Sequence, residues 1–300
     1  IVVGDIMVWI AVDGMREMNT LPPLMADYKR IEHVWADSNW RLPAMISAFI
    51  GQPVKRHGWN SPLPVNQLLN GEPYPPMPKG LTIAEMFKQN GFKTLAFSDA
   101  KGAHIDGIDR GFDHFHIVNE KTLFSGIPSQ FNDFESGDKL FLFYWSNGLT
   151  QPLNPSVESK MRWGIDDQWL NSQGGIRHDR IGVKDEKAQK AYSRAYRASQ
   201  DDLIEQISDV LANLPKTSGT KRVVISGSHG VALGEDGLFG SALNLSPFVY
   251  RTTMLVDGFG WRPDKLSLSQ LSDYLRQEFG FSETKAWKTT APLTHQFDDM

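Results

Sequence analysis

The chain has 300 residues, enough for one large domain or two modest ones. Its 31 lysines and arginines against 35 aspartates and glutamates leave a net charge of −4, so nucleic-acid binding is not the default reading. Hydrophobic residues make up 40% and charged residues 22%, which allows a large core and argues against disorder, and the absence of cysteine excludes disulfides, thiolate metal ligands and a cysteine nucleophile. No apolar run approaches the roughly 18 residues of a membrane span. The first residue is Ile1 rather than Met, which leaves room for a signal peptide or an anchor upstream.

Residues 6–12 form an unbroken apolar run ending in Asp13-Gly14, the pattern of a strand buried on both faces. The spacing of Ile83, Met86 and Phe87, with Gly91 following, predicts a helix over 82–90. Strands are predicted over 93–98 and 140–145, and a long helical stretch over 184–214, ended by Pro215. In its second half Leu203, Ile207, Val210, Leu211 and Leu214 share one face. Further strands are predicted over 222–226 and 249–256, and a closing helix over 268–279. Residues 52–79 and 147–179 lack periodicity and read as surface excursions. Alternating strands and helices imply an α/β fold with a mostly parallel sheet, whose ligands sit at the carboxyl ends of the strands. Asp13, Ser98, Trp145 and Ser228 fall at or just beyond those ends.

Four segments, in order, resemble the sulfatase branch of the alkaline-phosphatase superfamily. The first is the strand ending in Asp13. The second runs from Ser38 through Arg41, Pro43 and Met45 to Gly51, followed by Arg56-His57-Gly58, and is similar to the family's nucleophile helix. The third is Gly91-Phe92 and Thr94 leading to Gly111-Phe112-Asp113, which resembles the "Gly-Tyr-x-Thr" strand and "Gly-Phe-Asp-x-Phe" loop. The fourth joins Ser228-His229-Gly230 to Leu233-Gly234-Glu235 and resembles "Asp-His-Gly … Leu-Gly-Glu". The resemblance implies an alkaline-phosphatase/sulfatase-like sandwich with a central, mostly parallel sheet flanked by helices. It also implies metal-assisted hydrolysis of a sulfate or phosphate ester by a hydroxyl nucleophile.

Position by position, the implied machinery is incomplete. The family's pair of metal-binding aspartates is Asp13-Gly14 here, and a hard cation commonly needs about six oxygens. The nucleophile position is Arg41, a guanidinium that stays protonated. The helix arginine is Met45, and the serine after Pro43 is Ala44. The later metal aspartate is Ser228, beside a retained His229, and the lysine beyond the last motif is Ser241. Ser98-Asp99-Ala100-Lys101 stands where "Gly-Lys-x-His" is implied, and Lys101 and His104 take those roles only with a shift of a few residues. Arg41, Lys101 and His104 are therefore candidates for binding an anionic small ligand, and Asp13 and His229 are the remnant of a metal set. Arg41 is expected to lie against Asp13 and neutralise it.

Plainer readings stand beside these. Asp13 also reads as a cap of the following turn, His229 as a structural histidine and Arg41 as a surface residue at a helix start. The cluster His104, Asp106, Asp109, Asp113, His114 and His116 offers metal-type ligands, but its glycines and irregular spacing favour a solvated loop. The expectation is a single domain over 1–300, with a reduced C-terminal part at about 261–300. Its function would be binding, regulation or structure after loss of hydrolysis, with no cofactor, a protein partner or larger assembly, no nucleic acid and no membrane span. The alternative is a divergent metal-dependent ester hydrolase using calcium or another divalent ion. Family habit points to an extracytoplasmic, periplasmic or secreted, location.

Overall fold

The computed structural model describes residues 2–16, 18, 21–59, 74–100, 103–120, 123–124, 134–168, 185–242 and 244–282. Its centre is a seven-stranded sheet. From one edge to the other it runs β3 (Lys29–Arg30), β13 (Met254–Asp257), β9 (Lys221–His229), β2 (Ile6–Asp13), β7 (Lys139–Ser146), β5 (Phe92–Ser98) and β6 (His114–Ile117). The five strands from β9 to β6 are parallel, while β13 and β3 close one edge antiparallel. The sheet is thus mostly parallel and flanked by helices, as the sequence implies.

Alternation along β2 separates two cores. Met7, Trp9 and Ala11 face one layer with α1 (Arg41–Ile50), α3 (Ile83–Gln89) and α7 (Leu271–Phe279). Ile6, Val8, Ile10 and Val12 face the other, against α5 (Glu186–Ala212). Every residue of β2 is buried, which is why its sequence shows no polar alternation. Trp9, Phe49 and Phe143 pack with centroids 4.7–5.6 Å apart and lock α1 onto the sheet. Thr82 and Glu85 form a reciprocal capping box at the start of α3, worth about 1 kcal/mol. Among the described residues no helix is long and apolar enough to cross a membrane.

Several expectations need correction. Residues 249–256 are not one strand. Ser246 caps a short helix α6 (Pro247–Tyr250), β12 (Arg251–Thr252) then pairs with β4 (His33–Trp35) in a separate sheet, and only β13 joins the centre. The closing helix starts as a 3-10 turn, Leu268–Gln270, because Ser267 and Gln270 cap it. The excursion 147–179 includes helix α4 (Val157–Trp163), capped by Ser156, while its last part lies outside the described residues. His114 and His116 lie on edge strand β6 rather than in a loop, with the His116 ring stacked on Phe97.

Candidate functional site

The site forms where β2, β7 and β9 end together. Ala11 pairs with Trp145 across β2 and β7, so Trp145 stands on the face that Asp13 also uses. Its indole Nε1–H donates to Asp13 Oδ1 at 2.9 Å. On the other side the register moves from Val12 opposite Gly227 to Asp13 opposite His229. Ser228 is the extra residue of this bulge, and its hydroxyl donates to the same Oδ1 at 2.5 Å. The bulge needs glycine at 227, because a Cβ there would run into the Thr252 hydroxyl. Asp13 is entirely buried. Its Oδ2 accepts no hydrogen bond, and Arg41 Nε lies 3.5 Å away from it. A lone charge in that position costs several kcal/mol, so the guanidinium is the compensating cation (about 3–5 kcal/mol when such a partner is removed).

Arg41 is the first residue of α1, and no side chain caps that helix start. The guanidinium, 23% exposed, also donates from Nη1 to Asn147 Oδ1 at 2.5 Å. Asn147 in turn donates its backbone N–H to Asp99 Oδ1 at 2.7 Å. Burial pushes the Asp99 carboxyl up to about 6, aided by the nearby Asp13 charge and opposed by the Asn147 bond. A continuous polar chain, Asp13–Arg41–Asn147–Asp99, therefore crosses the strand ends.

His229 is buried beside Asp13. Its Nδ1 faces the Gly230 carbonyl at 2.6 Å, and a carbonyl only accepts, so Nδ1 carries the proton. Burial pulls its pKa below the usual histidine range, and Asp13 opposes that pull. His57, in the second resembling segment, is held similarly. Its Nδ1 accepts from Trp59 N–H at 3.0 Å. Ser47 spends its own proton on the Pro43 carbonyl, so His57 Nε2–H donates to Ser47 Oγ at 2.9 Å. Burial drops His57 to about 4.

A divalent cation does not fit this donor set. Of the Asp13 carboxylate, Oδ1 is taken by two donors and Oδ2 faces a cation. Ser228 presents its proton to Asp13 rather than a lone pair to a cation. Gly14 adopts φ +76°, and a Cβ there would stand 2.6 Å from the Leu149 carbonyl oxygen. The turn is pinned further by Tyr196, which donates to the Gly14 carbonyl and accepts from Arg16 N–H, both at 2.7 Å. An aspartate at 14 would therefore require this turn to move. Among the described residues no group of three or more His, Asp or Glu is placed to hold a metal, the 104–116 cluster included.

Of the residues singled out from sequence, Asp13, Arg41 and His229 are brought together. His104 is exposed and has no hydrogen bond or ion pair with Asp13, Arg41 or Asn147 among the described residues. Lys101 lies outside the described residues. The sequence marks Trp145 only as a strand end, and it carries no local signal that assigns Asn147 or Asp99 to the site. Register between adjacent parallel strands is the signal that places Trp145 beside Asp13.

Solved structures share this architecture. The periplasmic C-terminal domain of phosphoethanolamine transferase EptC from Campylobacter jejuni aligns with TM-score 0.66 at 11% identity, over 93% of this chain and 90% of that one. The chain has the fold of the sulfatase-like alkaline-phosphatase superfamily. The soluble domain of lipooligosaccharide phosphoethanolamine transferase A from Neisseria meningitidis aligns with TM-score 0.63 at 11% identity, over 92% and 87% of the two chains. A protein of Bacteroides thetaiotaomicron assigned to the sulfatases aligns with TM-score 0.62 at 14% identity, over 95% and 72%. No family model matches the chain, and no curated protein matches it. The sulfatase-like fold thus persists here at identities where individual site residues do not carry over by similarity alone.

Proposed function

We propose that this sulfatase-like domain has lost ester hydrolysis and serves as a binding, regulatory or structural component. The observation that carries the reading is the Arg41–Asp13–Ser228 arrangement. A nucleophile must approach the sulfur or phosphorus of an ester polarised by positive charge. The residue at that position is instead a cation with no lone pair to offer, turned toward the carboxylate that would ligate a metal. An anion arriving at Arg41 competes with two acceptors already bound, Asp13 and Asn147, so charge compensation is the better-supported role for this side chain.

One observation favours the alternative, a divergent metal-dependent hydrolase of sulfate or phosphate esters. Asp13 Oδ2 has no hydrogen-bond partner, the state of an oxygen awaiting a ligand. Turnover of an aryl sulfate and an aryl phosphate with calcium, manganese or zinc separates the two. The proposal expects no turnover above that of the Asp13→Asn variant, and metal-dependent turnover lost in that variant would overturn it.

The periplasmic origin of the Campylobacter neighbour supports an extracytoplasmic location for this chain. We further take the described residues as one domain, a reading supported by the single seven-stranded central sheet.

A further inference from the structure

Beside the strand ends lies a cavity of about 580 Å³, between the carboxyl end of β7 and helices α4 and α5. Its wall carries six carboxylates, Asp99, Glu120, Glu158, Asp202, Glu205 and Asp209. Among the described residues of that wall the one cation, Arg162, lies 3.8 Å from Asp201, outside the six. Asp202 is a fixed charge. It accepts from Ser156 N–H at 2.6 Å, Ser156 Oγ at 2.8 Å and Ser159 Oγ at 2.5 Å, which also ties α4 to α5. Glu120, Glu158, Glu205 and Asp209 form no ion pair among the described residues. A second observation is independent of charge. Ser199 lines the same cavity, is only 6% exposed, and its hydroxyl has no hydrogen-bond partner. A buried hydroxyl left in this state is costly unless something else fills the role.

These carboxylates do not converge. They are spread around the wall, and no three of them are placed as a metal set. Dispersed negative charge around a space of this size suits an elongated organic cation better than a bare ion. The surroundings are also opposite in sign to what an ester anion requires: Asp99 occupies the strand end where the family resemblance implies a lysine-bearing loop.

We propose that this cavity binds a small organic ligand carrying two or more ammonium groups, of the linear polyamine class. The ammonium groups pair with the carboxylates of α4 and α5, and Ser199 and Asn147 supply neutral polar contacts deeper in. The inference goes beyond the loss of hydrolysis and does not depend on it.

The test is calorimetric titration of the full chain with spermidine at moderate ionic strength. Two variants accompany it. Glu158→Gln with Glu205→Gln removes two exposed cavity carboxylates, whose loss does not disturb the core. Asp264→Asn with Asp273→Asn removes the same charge from exposed positions near and on α7, the helix layer across the sheet. The expected result is one-to-one binding, weakened about tenfold by the first pair and unchanged by the second. Absence of saturable binding would overturn the proposal. Equal weakening by both pairs would too, because it would mean nonspecific attraction to an acidic surface. So would calcium binding one-to-one to the same carboxylates and displacing spermidine, which would mark a metal site.

Discussion

Arg41 Nε stands 3.5 Å from Asp13 Oδ2, and that carboxylate has no exposed surface. Replacing Arg41 by Met keeps most of the side chain's bulk and removes its charge, leaving Asp13 with two neutral donors on one oxygen. The variant should lose about 2–3 kcal/mol in urea unfolding, less than for a fully enclosed pair because Arg41 is partly exposed. Asp13→Asn added to Arg41→Met should recover part of the loss, since the orphaned charge is gone. Strict additivity of the two changes would show that the pair does not interact.

Trp145 supplies one of the two donors on Asp13 Oδ1. Trp145→Phe should cost about 1–3 kcal/mol in the same measurement, from a weakened charge-assisted bond and a small packing defect. The change should be smaller in an Asp13→Asn background, where the acceptor is no longer charged. An equal cost in both backgrounds would assign the whole effect to packing.

Ser228→Asp places a second carboxylate at the bulge, against Asp13. Two like charges in one buried space disfavour each other, so the variant should melt at a lower temperature than the wild type. Millimolar calcium should raise the melting temperature of the variant and leave that of the wild type unchanged. A calcium shift in the wild type alone would reverse the reading of Ser228.

His57 is held neutral by burial, donating to Ser47 and accepting from Trp59. A histidine whose folded pKa is lowered contributes its full stability above about 6.5, its unfolded value, and loses it as pH falls through about 4. His57→Gln keeps one donor and one acceptor but does not titrate. Its unfolding free energy should fall less steeply than that of the wild type between pH 6.5 and 4. Parallel pH profiles would show that His57 titrates in the fold as it does in the unfolded chain.

The parts of the fold legible in sequence are those with strong local signals. The continuous apolar run of β2, the spacing of Ile83, Met86 and Phe87 before Gly91 and the one-sided face from Leu203 to Leu211 each specify their element without tertiary help. The two-residue strands and the break before Met254 were not legible. They depend on partners such as Val34 and Trp35 that are distant in the chain, and a short apolar stretch suits a strand or a helical turn equally well. The same division runs through the site. Asp13 and Arg41 are found because the segments that hold them resemble the family's motifs. The acidic cavity was not, because Asp99, Glu158 and Glu205 come from three separate elements and each reads alone as a solvated charge. Ser228 as a donor to Asp13 depends on a register shift that no local pattern announces.

The most direct test of the account is an experimental structure of the protein crystallised with excess zinc, with anomalous data at the zinc edge. The account predicts the Arg41 guanidinium against Asp13, Ser228 donating to the same carboxylate, and no anomalous peak between Asp13 and His229. A zinc ion bridging Asp13 and His229, with Arg41 turned away, would contradict it.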